Sequence, residues 1–275
     1  MTRLIQANFA RLFKFRPFWV CVILSVAVCL VNDVLFAVLN DDWVYKTGGL
    51  ILNQIGSTAL FIAAIFAPLY LGTDYACGTI RNKLTAGHSR ASCYLASLIP
   101  VTSGTLIILA AYCVPLVAMS LIWGKNLGIT PGEFCMRILI IVAAAVASSS
   151  LFTLLGMLIP LKSLTTAITI VSAFVLFQGS FMVVNLLNQP EYIADYNMAI
   201  ADAAMPETEP NPLYIKEGAL KNVLTAVTDV LPSGQMVRLQ DNSMHNRELY
   251  PLYSFGILAV TTAAGVLVFR RKDLK

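Results

Sequence analysis

Charge is what this sequence has least of: 12% of its 275 residues are Asp, Glu, Lys or Arg, and 2 are histidine. A soluble domain carries about twice that charged fraction, so a fully water-facing globular surface is excluded. The chain also lacks the compact motifs of catalysis. There is no G-x-x-x-x-G-K-[ST] phosphate loop, no G-x-S-x-G elbow and no H-E-x-x-H zinc pair. His88 and His245 fall on opposite sides of the predicted membrane and cannot share a site. The long polar stretch 188–249 has no cysteine; all six (Cys21, Cys29, Cys77, Cys93, Cys113 and Cys135) lie in apolar runs, in one loop or at a helix end. This distribution argues against a disulfide framework. Cys77, His88 and Cys93 share a loop but lack the paired C-x-x-C spacing of zinc sites. No internal repeat is visible, which argues against an inverted-repeat secondary carrier.

Apolar residues fill the space that charge vacates: the chain is 57% hydrophobic with a mean hydropathy of +0.74. A bilayer core about 30 Å thick takes roughly 20 apolar residues per helix, at about 1.5 Å of rise each. Six stretches meet that length: Pro17 to Leu39, Leu50 to Gly72, Tyr94 to Trp123, Arg137 to Ile159, Ser163 to Leu187 and Tyr250 to Phe269. The expected fold is an all-α polytopic membrane protein, a single transmembrane domain over 1–275. Pro160 ends the fourth stretch, and the short break to Ser163 permits only a helical hairpin.

An even number of spans puts both termini on one side, and the distribution of Lys and Arg names it. Twelve bases fall on that side (Arg3, Arg11, Lys14, Arg16, Arg81, Lys83, Arg90, Lys162, Arg270, Arg271, Lys272 and Lys275) beside two acids, Asp74 and Asp273. The formal charge is then +10 inside against −6 outside, within a total of +4. Both termini are expected in the cytoplasm of a bacterial cell, with the chain in the plasma membrane. The basic excess reflects orientation and the anionic inner leaflet, not nucleic acid. The first apolar run is too long for a secretory signal core and no A-x-A site follows it, so it is expected to remain attached.

Three segments lie outside the spans. In 1–16, Leu4, Ile5, Phe9, Leu12 and Phe13 recur at helical spacing while Arg3, Gln6, Ala10, Arg11 and Lys14 fill the other face. This predicts an interfacial helix lying flat on lipid until Pro17 turns the chain inward. The loop 73–93 is the one cytoplasmic connection of any length. Gly78 and Gly87 bracket a helix-compatible run, Thr79 to Ala86, and Ser89 is placed to cap the helix that follows. In the extracellular segment 188–249, Leu220, Val223, Leu224, Val227, Val230 and Leu231 predict an amphipathic helix ended by Pro232 and Gly234. A weaker helix is expected from Glu191 to Met205, and Pro206 to Pro212 reads as a turn-rich linker. Inside the spans, Asp33 is the clearest ionisable residue, an intramembrane candidate about a turn and a half from the outer end.

The run Asp74-Tyr75-Ala76-Cys77-Gly78-Thr79-Ile80-Arg81-Asn82-Lys83-Leu84, followed by Gly87-His88-Ser89-Arg90, resembles the first cytoplasmic loop of bacterial type-2 ABC exporter (ABC-2) permeases. In that family an acid, a G-T-I-R-N-K run and a G-x-S-R step form a coupling helix that docks on the ATPase subunit. The resemblance implies a coupling interface at Asp74, Gly78, Thr79, Ile80, Arg81, Asn82, Lys83, Leu84, Gly87, Ser89 and Arg90. The family usually has Glu where this chain has Asp74. It also implies two permease copies with two ATPase subunits, ATP and Mg bound by the partner, and no cofactor in this chain. Spans one, two and five of each copy would line a cavity for a hydrophobic or amphipathic cargo, in kind a peptide or peptide antibiotic. Two other readings stay open on the residues alone: a membrane enzyme or docking component using 188–249, and an ion-coupled carrier centred on Asp33.

Overall fold

The structure, a computed structural model, describes residues 1–39, 48–122, 130–194, 208–241, 243–244 and 246–272. Within them the chain is almost wholly helical: α1 (Thr2–Lys14), α2 (Arg16–Leu39), α3 (Gly48–Ala76), α4 (Thr79–Thr85), α5 (Arg90–Ile122), α6 (Pro131–Leu158), α7 (Lys162–Leu187), α8 (Ala219–Val230), α9 (Pro232–Gln240) and α10 (Tyr250–Arg271). In an apolar solvent a backbone must satisfy its own hydrogen bonds, which is why apolar runs of this length fold as helices. Among the described residues five helices are long and apolar enough to cross a membrane. Thr2–Lys14 with Arg16–Asn32, bent by 59°, makes a sixth if the pair counts as one span. The chain is a helical, polytopic membrane protein by that measure.

The predicted runs and the observed helices coincide to within a few residues. The bend between α1 and α2 falls at Phe15, whose extended backbone (φ −80°, ψ 105°) closes α1. Pro17 sits in the first turn of α2, where its missing N–H costs nothing. Between α6 and α7, Ile159 is extended (φ −108°, ψ 117°) because the ring of Pro160 disfavours helix in the residue before it.

α3 is the hub, packed on α5, α6, α7 and α9. Its face of Ala59, Ala63, Ala64 and Ala67, all fully buried, lets neighbouring backbones approach closely. The best span windows of α3 and α6 are each 61% buried within the chain, against 22% for α7 and 17% for α10. Those two helices therefore form the periphery. Alternation of the spans brings α1, α4, the feet of α3, α5 and α10, and the α6–α7 turn to one end of the bundle. At this end Gly72 meets Lys162 and Arg90 meets the backbone of Lys272. Eleven of the twelve bases assigned to one side by sequence lie here among the described residues, with Asp74 as their one described acid.

The opposite end departs from expectation. The amphipathic helix forms as α8 and stops at Val230, with Leu231 extended before Pro232 as expected, but the same proline opens a second, unexpected helix, α9, at the position where proline is best tolerated. Gly234 is no terminator. It lies inside α9 with its bare Cα against the Thr228 backbone, where a methyl would overlap the Thr228 carbonyl. Every residue from Pro232 to Leu239 is buried, and α9 packs among α3, α6 and α7. Within the expected linker, Thr208–Pro210 is a strand, β2, paired antiparallel with β1 (Tyr192–Ala194), Tyr192 opposite Pro210. β1 also replaces the start of the helix expected from Glu191; the remainder to Met205, with Pro206, Glu207, Trp123 and His245, lies outside the described residues. The side chain of Asp33 is outside them too, although its backbone belongs to α2.

The close approach at Gly234 gives a test of this burial. Gly234→Ala should lower stability by about 2 kcal/mol through overpacking. Gly132→Ala, where an added methyl meets nothing within 4 Å, should change it by less than about 1 kcal/mol. Thermal unfolding in detergent micelles reads both.

Candidate functional site

The glycine-bracketed run folds as a stub across one end of the bundle. Gly78 (φ 66°) and Gly87 (φ 86°) both take the left-handed backbone that a side chain disfavours. Gly78 closes α3, its N–H donating to the Tyr75 carbonyl at 3.0 Å, and immediately opens α4. At the far side the Gly87 N–H donates to the Leu84 carbonyl (3.0 Å) and the His88 N–H to the Lys83 carbonyl (3.3 Å), the paired closure of a Schellman motif. Ser89 then caps α5, its Oγ accepting from the Ser92 N–H at 3.2 Å. α4 is thus held at both ends by backbone geometry alone.

Its two faces differ. Ile80 is buried, and Leu84 packs against the core beneath it. Arg81, Asn82, Thr85 and Ala86 are exposed. Under the buried face lies a polar node. The Asp74 carboxylate, fully buried near the foot of α3, is ion-paired with Arg11 of α1 and stands 3.4 Å from Lys83 Nζ of α4. Lys83 also donates to Asn8 Oδ1 (2.9 Å); Asn8 Nδ2 donates to the Ala96 carbonyl of α5 (2.6 Å), and the Tyr70 hydroxyl to the Asn8 carbonyl (2.8 Å). Arg11 lies 4.0 Å over the Tyr70 ring. Two cations share one carboxylate here. Burial, with the Arg11 charge beside it, pushes the Lys83 ammonium down to about 8.

A second set of bonds ties the same end to the last helix. Met157, near the C-terminus of α6, presents a carbonyl to the Tyr75 hydroxyl (2.6 Å) and to Lys272 Nζ (2.8 Å). Cations and donors are favoured at such helix ends, whose last carbonyls lack internal partners. Arg90 donates to the backbone carbonyls of Phe269 and Lys272, closing α10 in the same way. The stub therefore rests on α1, α3 and α5, and those on the feet of α6 and α10.

The structure brings the eleven loop residues singled out by sequence into one place but sorts them. Arg81 and Asn82 face outward and Ser89 is exposed; Thr79, Gly78 and Gly87 shape the backbone. Asp74, expected as a direct polar contact for a partner, has no exposed side chain and is paired with Arg11 and Lys83. Lys83 points inward, and Ile80 and Leu84 anchor the stub. Arg90 is spent on α10. α1 differs from expectation at three residues: Leu4 and Leu12 are buried against the bundle and Arg11 meets Asp74, while Arg3, Phe13 and Lys14 remain exposed. Asn8 was not anticipated. A signal existed, since Leu4, Asn8 and Leu12 are spaced by four and so share the buried stripe, and a polar residue there must find partners.

A second buried polar cluster, also unforeseen, holds α9. Arg238 pairs with Asp229 (2.8 Å) and donates to Thr228 Oγ1 (2.8 Å), while the Tyr250 hydroxyl donates to Asp229 Oδ1 at 3.0 Å. Gln235 receives the Ser254 hydroxyl (2.8 Å) and donates to the carbonyls of Asp229 and Tyr250. Among the described residues no group of three or more His, Cys, Asp or Glu could hold a metal.

Removing the shared carboxylate should expose its value. Asp74→Ala leaves two cations facing each other and should cost about 3 kcal/mol, read as a lowered unfolding midpoint. Asp74→Ala with Lys83→Met should recover part of it. Lys83 binds its proton less readily folded than unfolded, so the unfolded chain holds more protons between about 8 and its ordinary 10.5. Stability should rise with pH across that window, and the rise should shrink in Lys83→Met. No protein-family model matches the chain, and no curated protein matches it.

Proposed function

We propose that the chain is the membrane-spanning permease subunit of a type-2 ABC exporter, with six spans, both termini cytoplasmic and α1 at the inner membrane surface. It contains no ATPase site of its own; a separate nucleotide-binding subunit hydrolyses ATP, and two copies of each subunit make the working complex. The observation that carries the reading is α4 itself. It is a short helix, closed by left-handed glycines, that offers Arg81, Asn82 and Thr85 outward while Ile80 and Lys83 fix it to the bundle.

A flexible loop dissipates a push, whereas a stub closed at both ends passes it on. Force on the outer face of α4 reaches α3 directly through Gly78 and Asp74, α1 through Lys83 and Asn8, and α5 through Ser89. Orientation by positive charge needs none of this, because bases on a free loop satisfy it equally. The eleven bases gathered at this end support its cytoplasmic placement. The peripheral helices α7 and α10, with low burial in one chain, leave apolar faces for lipid and a second copy. The cargo that suits apolar spans is hydrophobic or amphipathic, such as a peptide antibiotic.

The test is retention of an ATPase. The tagged chain, purified in mild detergent from its own cells, should carry an ATP-hydrolysing subunit. Arg81→Ala with Asn82→Ala should lose at least ~10-fold of that subunit, by analogy with interface residues worth about 1 kcal/mol or more each, with the unfolding midpoint unchanged. A wild-type chain that retains no ATPase, or a variant that retains it fully, would overturn the reading.

A further inference from the structure

α10 meets α5 at its foot. There the Tyr94 ring packs on Phe269, with centroids 6.4 Å apart, Gly265 leaves room for the Tyr94 hydroxyl, and Arg90 holds the backbone of Phe269 and Lys272. Beyond this junction the two helices border an open cleft of about 720 Å³, lined by Leu95 and Leu98 of α5 and by Phe255, Ala259, Ala263 and Val266 of α10. The cleft runs along a helix apolar enough to span a bilayer and only 17% buried by its own chain. Its walls are almost entirely hydrocarbon, so water gains no partners there.

The helical repeat settles what borders the foot of the cleft. Ala259, Ala263 and Val266 follow one another at spacings of four and three, and the same stripe continues to Arg270; Arg271 follows Leu267, another lining residue, by four. Both arginines are exposed. The one described acid at this end, Asp74, is buried beneath α1 and α4 and already paired. Among the described residues, the foot of the cleft is therefore an apolar slot opening under guanidinium groups with no acid beside them.

We infer that this cleft binds an anionic phospholipid, one acyl chain lying between α5 and α10 and the phosphate held by Arg270 and Arg271. The charge distinguishes this occupant from a second copy of the chain. A two-fold contact centred on this foot would set the residues at its axis against their own equivalents and bring arginine against arginine there. A phospholipid supplies the missing anion at the level where the bases stand, and guanidinium binds phosphate with two parallel hydrogen bonds. Basic pockets between spans at the inner surface suit acidic headgroups on the same grounds. The inference needs only that the helices span a bilayer; it does not depend on the cargo or on an ATPase, so loss of export activity would leave it standing.

Native mass spectrometry of the full chain tests it, in micelles holding equal amounts of phosphatidylglycerol and phosphatidylcholine with identical acyl chains. The wild type should retain phosphatidylglycerol preferentially. Arg270→Ala and Arg271→Ala should each reduce that preference about five-fold, while Lys14→Ala, an exposed base elsewhere at the same end, should leave it unchanged. Ala263→Phe, at an exposed position that fills the cleft, should reduce retention of both lipids with the unfolding midpoint preserved. Equal effects of Lys14→Ala and Arg270→Ala would mean diffuse attraction and overturn the site. So would undiminished lipid retention in Ala263→Phe, or conversion of a dimer to monomers by that change without loss of lipid.

Discussion

A carboxylate buried without water must have its charge answered from within the protein, and at Asp74 that requirement organises one whole end of the molecule. Arg11 comes from α1, Lys83 from α4, and the Asn8 and Tyr70 that satisfy them come from α1 and α3. Without the carboxylate, two cations would repel each other in a poorly hydrated space, and neither α1 nor the stub would have a reason to lie where it does. The node is also asymmetric, since it holds two positive groups for one negative. Burial, reinforced by the Arg11 charge, is why Lys83 releases its proton unusually easily.

The same rule, that buried polar groups must be paired, explains the other end. α9 carries Arg238 and Gln235 into an apolar bundle, an arrangement sustainable because Asp229, Thr228, Ser254 and the carbonyls of Val230, Ser243 and Tyr250 pair with them. The two clusters lie at opposite ends of α3, the hub, with a face of alanines between them. Polar pairing at both ends and plain apolar packing in the middle is a construction in which the tips specify the helix partners. Small, smooth side chains such as Ala63 and Ala67 impose little interdigitation.

Solvent by solvent, the surface divides similarly. α7 and α10 expose leucine, valine and phenylalanine along their lengths, a surface stable only in hydrocarbon. At the stub end those same helices begin or end in Lys162, Arg270 and Arg271, which stand where an anionic leaflet would meet them.

Much of this was readable along the chain, because the determinants are local. Twenty consecutive apolar residues make a helix of membrane length whatever surrounds them; Pro160 must break one; Gly78 and Gly87 can adopt a left-handed backbone that other residues resist, and Ser89 can cap. These depend on covalent geometry and on neighbours within four residues. What the sequence could not decide was which polar side chains face one another: that Arg11 turns inward to Asp74, that Asn8 hydrogen-bonds across to the Ala96 carbonyl of α5, and that Pro232 begins a helix that dives between α3, α6 and α7. Those outcomes turn on residues far apart in sequence, from tens to well over a hundred positions, meeting across packed helices. A periodicity can say that a face is buried, but only the tertiary arrangement names the partner that makes its burial affordable.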